Sequence, residues 1–131
     1  MTPREVALAF VAAINEHNLD RLSTLMAEDH VFIDGLDNRL QGRDAMIQAW
    51  HGYFKMVPDY VIKIEQVLER ENDVALFGRA AGTYVRNQIL DSRNRWEIPA
   101  AWLAQIRAEK VSVWRVFADN LPIRRLMGAE S

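Results

Sequence analysis

The chain has 131 residues, of which 50% are hydrophobic and 26% are charged, and its formal net charge at pH 7 is -2. A chain of this length buries about two thirds of the surface that its unfolded form exposes, so we expect one domain over residues 1–131. Because acidic and basic residues are interspersed and nearly balanced, the charge pattern favours neither nucleic acid nor a membrane as a partner. The sequence contains no cysteine, which excludes disulfides and thiolate chemistry.

The distribution of apolar residues along the chain predicts where in the cell the protein is found. The first ten residues, MTPREVALAF, lack a basic stretch followed by a continuous apolar segment, and no run of about 18 apolar residues occurs in the chain. The sequence therefore predicts a cytoplasmic protein without a membrane span.

The first part of the chain predicts three helices and a short strand. The first helix opens with the capping box TPRE at residues 2–5, in which a hydroxyl caps the helix and Pro occupies its first turn. Apolar residues at helical spacing predict a second helix over residues 19–26 and a third over residues 43–55. Between them HVFID, residues 30–34, is typical of a short strand that ends in a turn.

After residue 58 the hydrophobic pattern changes from a period of 3.6 to a period of 2. Four long strands are predicted, at about residues 60–70, 74–86, 95–107 and 111–119. Their connections are too short for crossover helices, so the strands pair as antiparallel hairpins. Helices followed by a meander of long strands predict an α+β fold, with helices covering one face of a curled antiparallel sheet.

Four segments carry a resemblance to a known family. They read AFVAAINEHNLDRLSTLMAEDHVFID, QGRDAMIQAW, LFGRAAGTY and KVSVWRVFADNLPIRRLM, and they cover nearly the whole chain in the expected order. Together they resemble the SnoaL-like branch of the nuclear transport factor 2-like superfamily, which also contains ketosteroid isomerase, polyketide cyclases and limonene epoxide hydrolase. The resemblance implies an α+β cone, in which N-terminal helices close the concave side of the sheet around an apolar pocket. It also implies a homodimer formed through the outer sheet face.

The resemblance implies a candidate base at Asp34, which lies 24 residues after Phe10. In ketosteroid isomerase an Asp base works with a Tyr and a protonated Asp that stabilise the oxyanion. Phe10 stands in the position of that Tyr, and the position of the second acid falls at Ala101 or Trp102. The base is therefore expected without its usual oxyanion partners.

Two further family motifs are incomplete. SnoaL-like cyclases and the epoxide hydrolase place a working Asp on the last strand, where this chain has Val116. The epoxide hydrolase also uses an Arg-x-Asp pair on the second long strand, and only Arg79 remains of it. We therefore take Asp34 and Arg79 as the candidate catalytic residues.

If the strands alternate as in the family, aromatic side chains line the concave side of the sheet. The predicted pocket residues are Phe10, Trp50, Tyr53, Phe77, Trp96, Trp102, Trp114 and Val116. Such a pocket suits a small, flat and mostly apolar organic ligand. The three His residues lack metal-ligand spacing and no phosphate-binding Gly loop occurs, so we expect neither a metal nor a cofactor.

Each candidate catalytic residue has a structural alternative. Asp34 precedes Gly35, so its carboxylate can bond the backbone N-H groups of a turn. Arg79 can pair with Glu97 or with Asp34 and so satisfy a buried charge.

Three functions remain open from the sequence. The first is a cofactor-independent isomerase, cyclase or lyase, in which Asp34 takes a proton and Arg79 stabilises the developing negative charge. The second is a ligand-binding module without catalysis, because the partners at Phe10 and Val116 are missing. The third is an assembly domain that uses the outer sheet face, where the family register places Ala101, Leu103, Val113 and Phe117.

Overall fold

The computed structural model describes residues 1–85 and 89–128, which form four α-helices and six strands. In chain order the elements are α1 (Pro3–Asn15), α2 (Leu19–Leu25), β1 (Met26–Ile33), β2 (Arg39–Gln41), α3 (Arg43–Met56), β3 (Val61–Arg70), β4 (Asp73–Thr83), β5 (Arg95–Arg107), β6 (Lys110–Phe117) and α4 (Leu121–Leu126). A short 3-10 helix, Ser92–Asn94, precedes β5. The predicted α+β fold is confirmed. The end predicted for β4 at residue 86 lies outside the described residues, and β2 is an addition that the sequence did not predict.

The six strands form a curled, open sheet in the order β2-β1-β6-β5-β4-β3. Strands β3 to β6 make the predicted antiparallel meander. β2 pairs antiparallel with β1, whereas β1 pairs in parallel with β6, with Phe32 opposite Trp114. The sheet is therefore mixed. Hairpin connections make neighbouring strands of β3 to β6 antiparallel. β1 and β6 are far apart in the sequence, so no short loop dictates whether they pair in parallel or antiparallel.

The first helix closes the concave face of the sheet. Its capping box forms as predicted: the Thr2 hydroxyl accepts from the Glu5 N-H, and the Glu5 carboxylate accepts from the Thr2 N-H. Phe10 and Ile14 are fully buried in the core beneath the sheet. At the end of α1 the Asn15 side-chain amide donates to the Ile62 carbonyl at 2.9 Å and accepts from the Ile62 N-H at 2.8 Å. These two bonds fix α1 against β3.

The alternation of β4 differs from the family-based prediction. Leu76 and Ala80 are buried on the inner face, opposite Trp102 and Ile98 of β5. Phe77 and Arg79 therefore lie on the outer face, which corrects their predicted orientation toward the pocket. The predicted alternation was shifted by one residue along β4, and such a shift assigns every side chain of a strand to the opposite face.

No helix in the described ranges, 1–85 and 89–128, is long and apolar enough to cross a membrane.

Candidate functional site

A cavity of about 390 Å³ lies between the inner face of the sheet, α3 and α4. Pockets for small molecules span roughly 300–1,000 Å³, so this cavity suits a small ligand. Its walls are mostly apolar and aromatic. They come from the end of β1, the inner side chains of β4 to β6, the side of α3 that faces the sheet, and the segment that contains α4.

Six of the predicted pocket residues line the cavity: Trp50, Tyr53, Trp96, Trp102, Trp114 and Val116. Phe10 lies behind this lining, with its ring centroid 4.8 Å from that of Trp114 and its side chain fully buried. Phe10 therefore packs against Trp114 of the cavity wall from within the core. Phe77 is 39% exposed on the outer face and contributes nothing to the lining.

Trp50, Tyr53, Tyr60 and Trp96 form one aromatic cluster in the cavity wall. The Tyr53 and Tyr60 rings meet edge to face with centroids 5.0 Å apart. The Tyr60 ring is 6.3 Å from Trp50 and 6.0 Å from Trp96, so Tyr60 joins the two indoles. Trp50 and Tyr53 share one face of α3 because they are three residues apart.

Gly82 of β4 makes room for this cluster. It lies opposite Trp96 in the sheet, and a Cβ atom there would lie 3.3 Å from Cζ2 of Trp96 and 2.3 Å from Cγ1 of Val57. The backbone of Tyr60 is held as well, because its carbonyl is hydrogen-bonded to Nε2 of His17 at 3.0 Å. The positions of the rings are therefore set by the backbone around them.

Two indole N-H groups of the cluster form no hydrogen bond with any described residue. Nε1 of Trp50 and Nε1 of Trp96 are both buried, and neither has a partner within the part of the chain that the structure describes. The side chains are 6% and 5% exposed. A buried donor left without a partner costs about 1–3 kcal/mol. Both residues line the cavity, but the two nitrogens have almost no accessible surface and lie inside its wall.

Burial raises the pKa of the two tyrosines of the cluster. Desolvation raises the pKa of Tyr53 and of Tyr60 well above the ordinary value of a phenol, and in Tyr60 the neighbouring Tyr53 adds to the rise. At neutral pH both hydroxyls are therefore neutral groups that can donate a hydrogen bond to a ligand.

Asp34 lines the cavity and also closes a turn. Its Oδ1 atom accepts from the backbone N-H groups of Leu36 and Asn38, both at 2.9 Å, and Oδ2 accepts from Nδ2 of Asn38 at 3.1 Å. These three bonds are the turn role that the sequence offered as the alternative to catalysis. They also hold the carboxylate in one orientation at the edge of the cavity.

Arg79 lies away from the cavity. Its Nε atom is 3.5 Å from Oε2 of Glu97, and the two side chains are 39% and 41% exposed on the outer face. The pairing with Glu97 that the sequence offered as a structural alternative is therefore present. An ion pair this exposed contributes little to stability because water screens it.

The sequence analysis missed three polar residues of the cavity lining: Tyr60, Asn120 and Arg124. The Oδ1 atom of Asn120 accepts from Nε of Arg124 at 3.0 Å, across the first turn of α4. The predicted strands place Tyr60 at the start of the first long strand, and Asn120 directly follows the predicted end of the last one at residue 119. Asn120 followed by Pro122 in the first turn was a signal for α4, but nothing in the sequence placed that helix against the cavity.

His30 has a place in the core that the sequence did not predict. It is fully buried, with its Nδ1 atom 2.7 Å from the Val111 carbonyl and its ring 6.0 Å from Phe10. Its Nε2 atom has no partner among the described residues. Across residues 1–85 and 89–128, no three His, Asp or Glu side chains are grouped closely enough to hold a metal ion.

Comparison with known sequences gives one family. The model of the family described as SnoaL-like domain matches residues 7–120. A search of curated proteins returned no match.

Solved structures similar to this chain share its fold at low sequence identity. A protein of ketosteroid isomerase-like fold from Catenulispora acidiphila, in complex with trimethylamine, is 19% identical with a TM-score of 0.80, covering 99% of this chain and 96% of its own. A candidate SnoaL-like polyketide cyclase from Shewanella denitrificans is 17% identical with a TM-score of 0.83, covering 98% of each chain. AclR, a candidate hydroxylase from Streptomyces galilaeus, is 19% identical with a TM-score of 0.77, covering 98% of this chain and 97% of its own.

Proposed function

We propose that this protein, which belongs to the SnoaL-like domain family, binds a small, flat and mostly apolar organic molecule in its cavity. The observation that carries the proposal is the lining, in which the aromatic cluster, Trp102 and Trp114 surround about 390 Å³ of space. Flat aromatic side chains give large contact areas to a planar apolar ligand. The trimethylamine bound to a protein of similar fold supports a small organic ligand.

Filling the cavity tests this proposal. Ala100 lines the cavity, whereas its neighbour Ala101 lies on the outer face opposite Phe77. We expect Ala100→Leu to abolish the rise in the thermal unfolding midpoint that two-ring ketones, lactones and aromatic compounds cause in the wild type. A ligand present at 100 times its Kd stabilises the folded state by about 2.7 kcal/mol.

Ala12→Leu is the matched control, because it adds the same atoms at an exposed residue of α1, outside the cavity lining and away from the outer face of the sheet. It should retain the full midpoint shift. If no compound of the panel shifts the wild type, or if Ala100→Leu responds as the wild type does, the cavity is not the binding site.

A second candidate function is cofactor-independent proton transfer of the isomerase, cyclase or lyase type. The observation in its favour is that Asp34 lines the cavity together with Arg124, the cation that takes the place expected for Arg79. Asp34 would take the proton from the carbon next to a ligand carbonyl, and Arg124 would stabilise the negative charge that develops on the oxygen.

Deuterium exchange tests this second function. In D₂O the wild type should accelerate the exchange of the protons next to the carbonyl of 1-tetralone, a two-ring ketone, as followed by NMR. Asp34→Asn keeps the turn acceptor but removes the base, so the acceleration should fall by about 10²-fold or more.

Asp37→Asn is the control for this exchange experiment. It makes the same chemical change in the same turn, at an exposed residue outside the cavity lining. Asp37→Asn should accelerate the exchange of the 1-tetralone protons as much as the wild type does. Equal rates in the wild type and in Asp34→Asn would remove Asp34 as a base and leave the binding function alone.

A further inference from the structure

The cavity wall contains two tyrosine hydroxyls that no described residue uses as a hydrogen-bond partner. Tyr53 and Tyr60 both line the cavity. Neither hydroxyl is hydrogen-bonded to any residue in the ranges 1–85 and 89–128. A tyrosine hydroxyl can both donate and accept a hydrogen bond, so each of the two has capacity left for a ligand.

The two hydroxyls differ from the indole nitrogens of the same cluster in being accessible. Three side-chain atoms of the described residues lack both a partner and accessible surface, and they are Nε2 of His30 and Nε1 of Trp50 and of Trp96. The hydroxyl oxygens of Tyr53 and Tyr60 lack a partner as well but are not in this set. Each of them therefore keeps accessible surface that a ligand can reach.

This accessible surface opens on the cavity. Tyr60 is only 9% exposed, and burial raises the pKa of its hydroxyl, as expected of a group removed from bulk water. Tyr53 is half-buried, and the same cause raises its pKa. Since both residues line the cavity, the space next to their hydroxyls is the space that a ligand occupies.

The surroundings of the two hydroxyls favour a neutral ligand group. The burial that opposes ionisation of the phenols also opposes an ionic ligand group beside them. The charged residues of the described lining, Asp34 and Arg124, belong to the turn after β1 and to α4, whereas Tyr53 belongs to α3 and Tyr60 directly precedes β3. A neutral oxygen that accepts a hydrogen bond, such as that of a ketone, is the group that a phenol O-H fits.

We propose that the hydroxyls of Tyr53 and Tyr60 donate hydrogen bonds to a neutral oxygen of the ligand, such as a ketone oxygen. This inference rests on the proposed function, because it requires a ligand in the cavity. It adds the chemical group that the apolar ligand carries and the two residues that bind this group.

A pair of probes of nearly equal shape separates this proposal from simple apolar binding. 1-Tetralone and tetralin share the same two rings and differ by one ketone oxygen. A purely apolar cavity prefers tetralin, because the ketone loses its hydration on entry without compensation. The tyrosine hydroxyls reverse this order, so calorimetric titration of the wild type should give about tenfold tighter binding of 1-tetralone.

Tyrosine-to-phenylalanine variants test the two residues, because each removes one hydroxyl and keeps the ring. The double variant of Tyr53→Phe with Tyr60→Phe should bind tetralin at least as tightly as 1-tetralone. At least one of the single variants should lower the ratio of the two affinities by several-fold. Tyr84→Phe is the matched control, since Tyr84 is the third tyrosine of the chain and lies outside the cavity lining. It should keep the wild-type ratio.

Urea unfolding without a ligand separates a binding role from a structural one. Because the two hydroxyls have no partner among the described residues, removing them breaks no hydrogen bond of the described fold. Tyr53→Phe and Tyr60→Phe should therefore unfold at the urea concentration of the wild type or above it. A clear loss of stability in both variants would assign the hydroxyls to the fold and overturn the inference.

A measurement on the wild type alone locates the ketone. Nuclear Overhauser contacts in the complex with 1-tetralone should join the protons that flank the ketone to the ring protons next to the hydroxyl of Tyr53 or of Tyr60. Contacts of these two tyrosines with the far end of the probe only would show that the ketone points elsewhere, against the inference.

The outcomes are distinct from failure of the proposed function. If neither probe binds, the proposed function itself fails and the inference falls with it. If both probes bind and the wild type holds tetralin as tightly as 1-tetralone, the proposed function stands and the inference falls. The same conclusion follows if the double variant keeps the wild-type ratio.

Discussion

At the scale of single residues, the cavity wall and the core each contain buried polar atoms with no hydrogen-bond partner among residues 1–85 and 89–128. These atoms are Nε1 of Trp50 and of Trp96, inside the cavity wall, and Nε2 of His30, whose ring centroid lies 6.0 Å from that of Phe10 in the core. Asp34 is the opposite case, because its carboxylate accepts three hydrogen bonds within its own turn. The sequence could identify Asp34 and the tryptophans by type, but it could not tell which of their polar atoms would find partners. Whether a polar atom has a partner depends on differences of a few tenths of an ångström in its distance from other polar atoms.

His30 makes the stability of the fold depend on pH. Desolvation lowers the pKa of the buried imidazole, although the Val111 carbonyl and Asp29 partly oppose the shift. The unfolded state, with a His pKa of about 6.5, binds a proton more readily than the folded state does. The stability that neutral His30 contributes is therefore complete above about pH 6.5 and is lost as the pH falls below that value.

We accordingly expect the free energy of unfolding in urea to fall between pH 7 and pH 5 in the wild type, and to fall less in His30→Gln. Gln keeps a donor for the Val111 carbonyl but does not titrate. His51→Gln changes an exposed residue of α3. Its free energy of unfolding should fall with pH as much as that of the wild type does. A wild-type slope equal to that of His30→Gln would contradict this role of His30.

At the scale of elements, the strands with the clearest alternation were the ones the sequence predicted best. In β5 the large side chains of Trp96, Ile98 and Trp102 alternate with smaller or polar residues, so their inward orientation could be read directly. β4 carries apolar residues on both faces, and its inward face could not be chosen from its own pattern. The parallel direction of β1 and the contribution of α4 to the cavity depend on contacts between distant parts of the chain.

Gly78 shows what fixes β4 in place. A Cβ atom at Gly78 would lie 1.8 Å from the carbonyl oxygen of Lys63, next to the irregularity in the pairing of β3 with β4. The neighbouring backbone cannot move aside cheaply, so we expect Gly78→Ala to destabilise the protein by about 3 kcal/mol or more in urea unfolding.

Gly52→Ala is the control for this substitution. Gly52 is exposed in α3 and has open space where its Cβ atom would lie. Replacing it with Ala should stabilise the protein by about 0.5–1 kcal/mol, because Ala favours the helix. Equal effects of the two substitutions would show that the close approach of β3 to β4 does not constrain Gly78.

At the scale of the whole molecule, the two faces of the sheet have different surroundings. The inner face is covered by α1 and α3 and surrounds the cavity. The outer face presents Phe77 and Phe117, which are 39% and 48% exposed, around the half-buried Ala101 and Leu103. We propose that a second copy of the chain covers this outer face, as the family resemblance implies, because exposed apolar patches mark interaction sites.

Light scattering at micromolar concentration tests this homodimer. The wild type should have twice the mass of one chain, and Phe117→Glu should be a monomer because it places a charge in the apolar patch. Leu36→Glu makes a similar change at an exposed residue in the turn after β1 and should leave the dimer intact. A wild-type monomer would count against the interface.

The central claim is that the cavity binds a small, mostly apolar molecule, and a crystal structure of the wild type grown with 1-tetralone tests it most directly. We expect the probe to occupy the cavity between the aromatic cluster and Trp114. A structure in which the probe lies on the outer face while the cavity holds only water would contradict it.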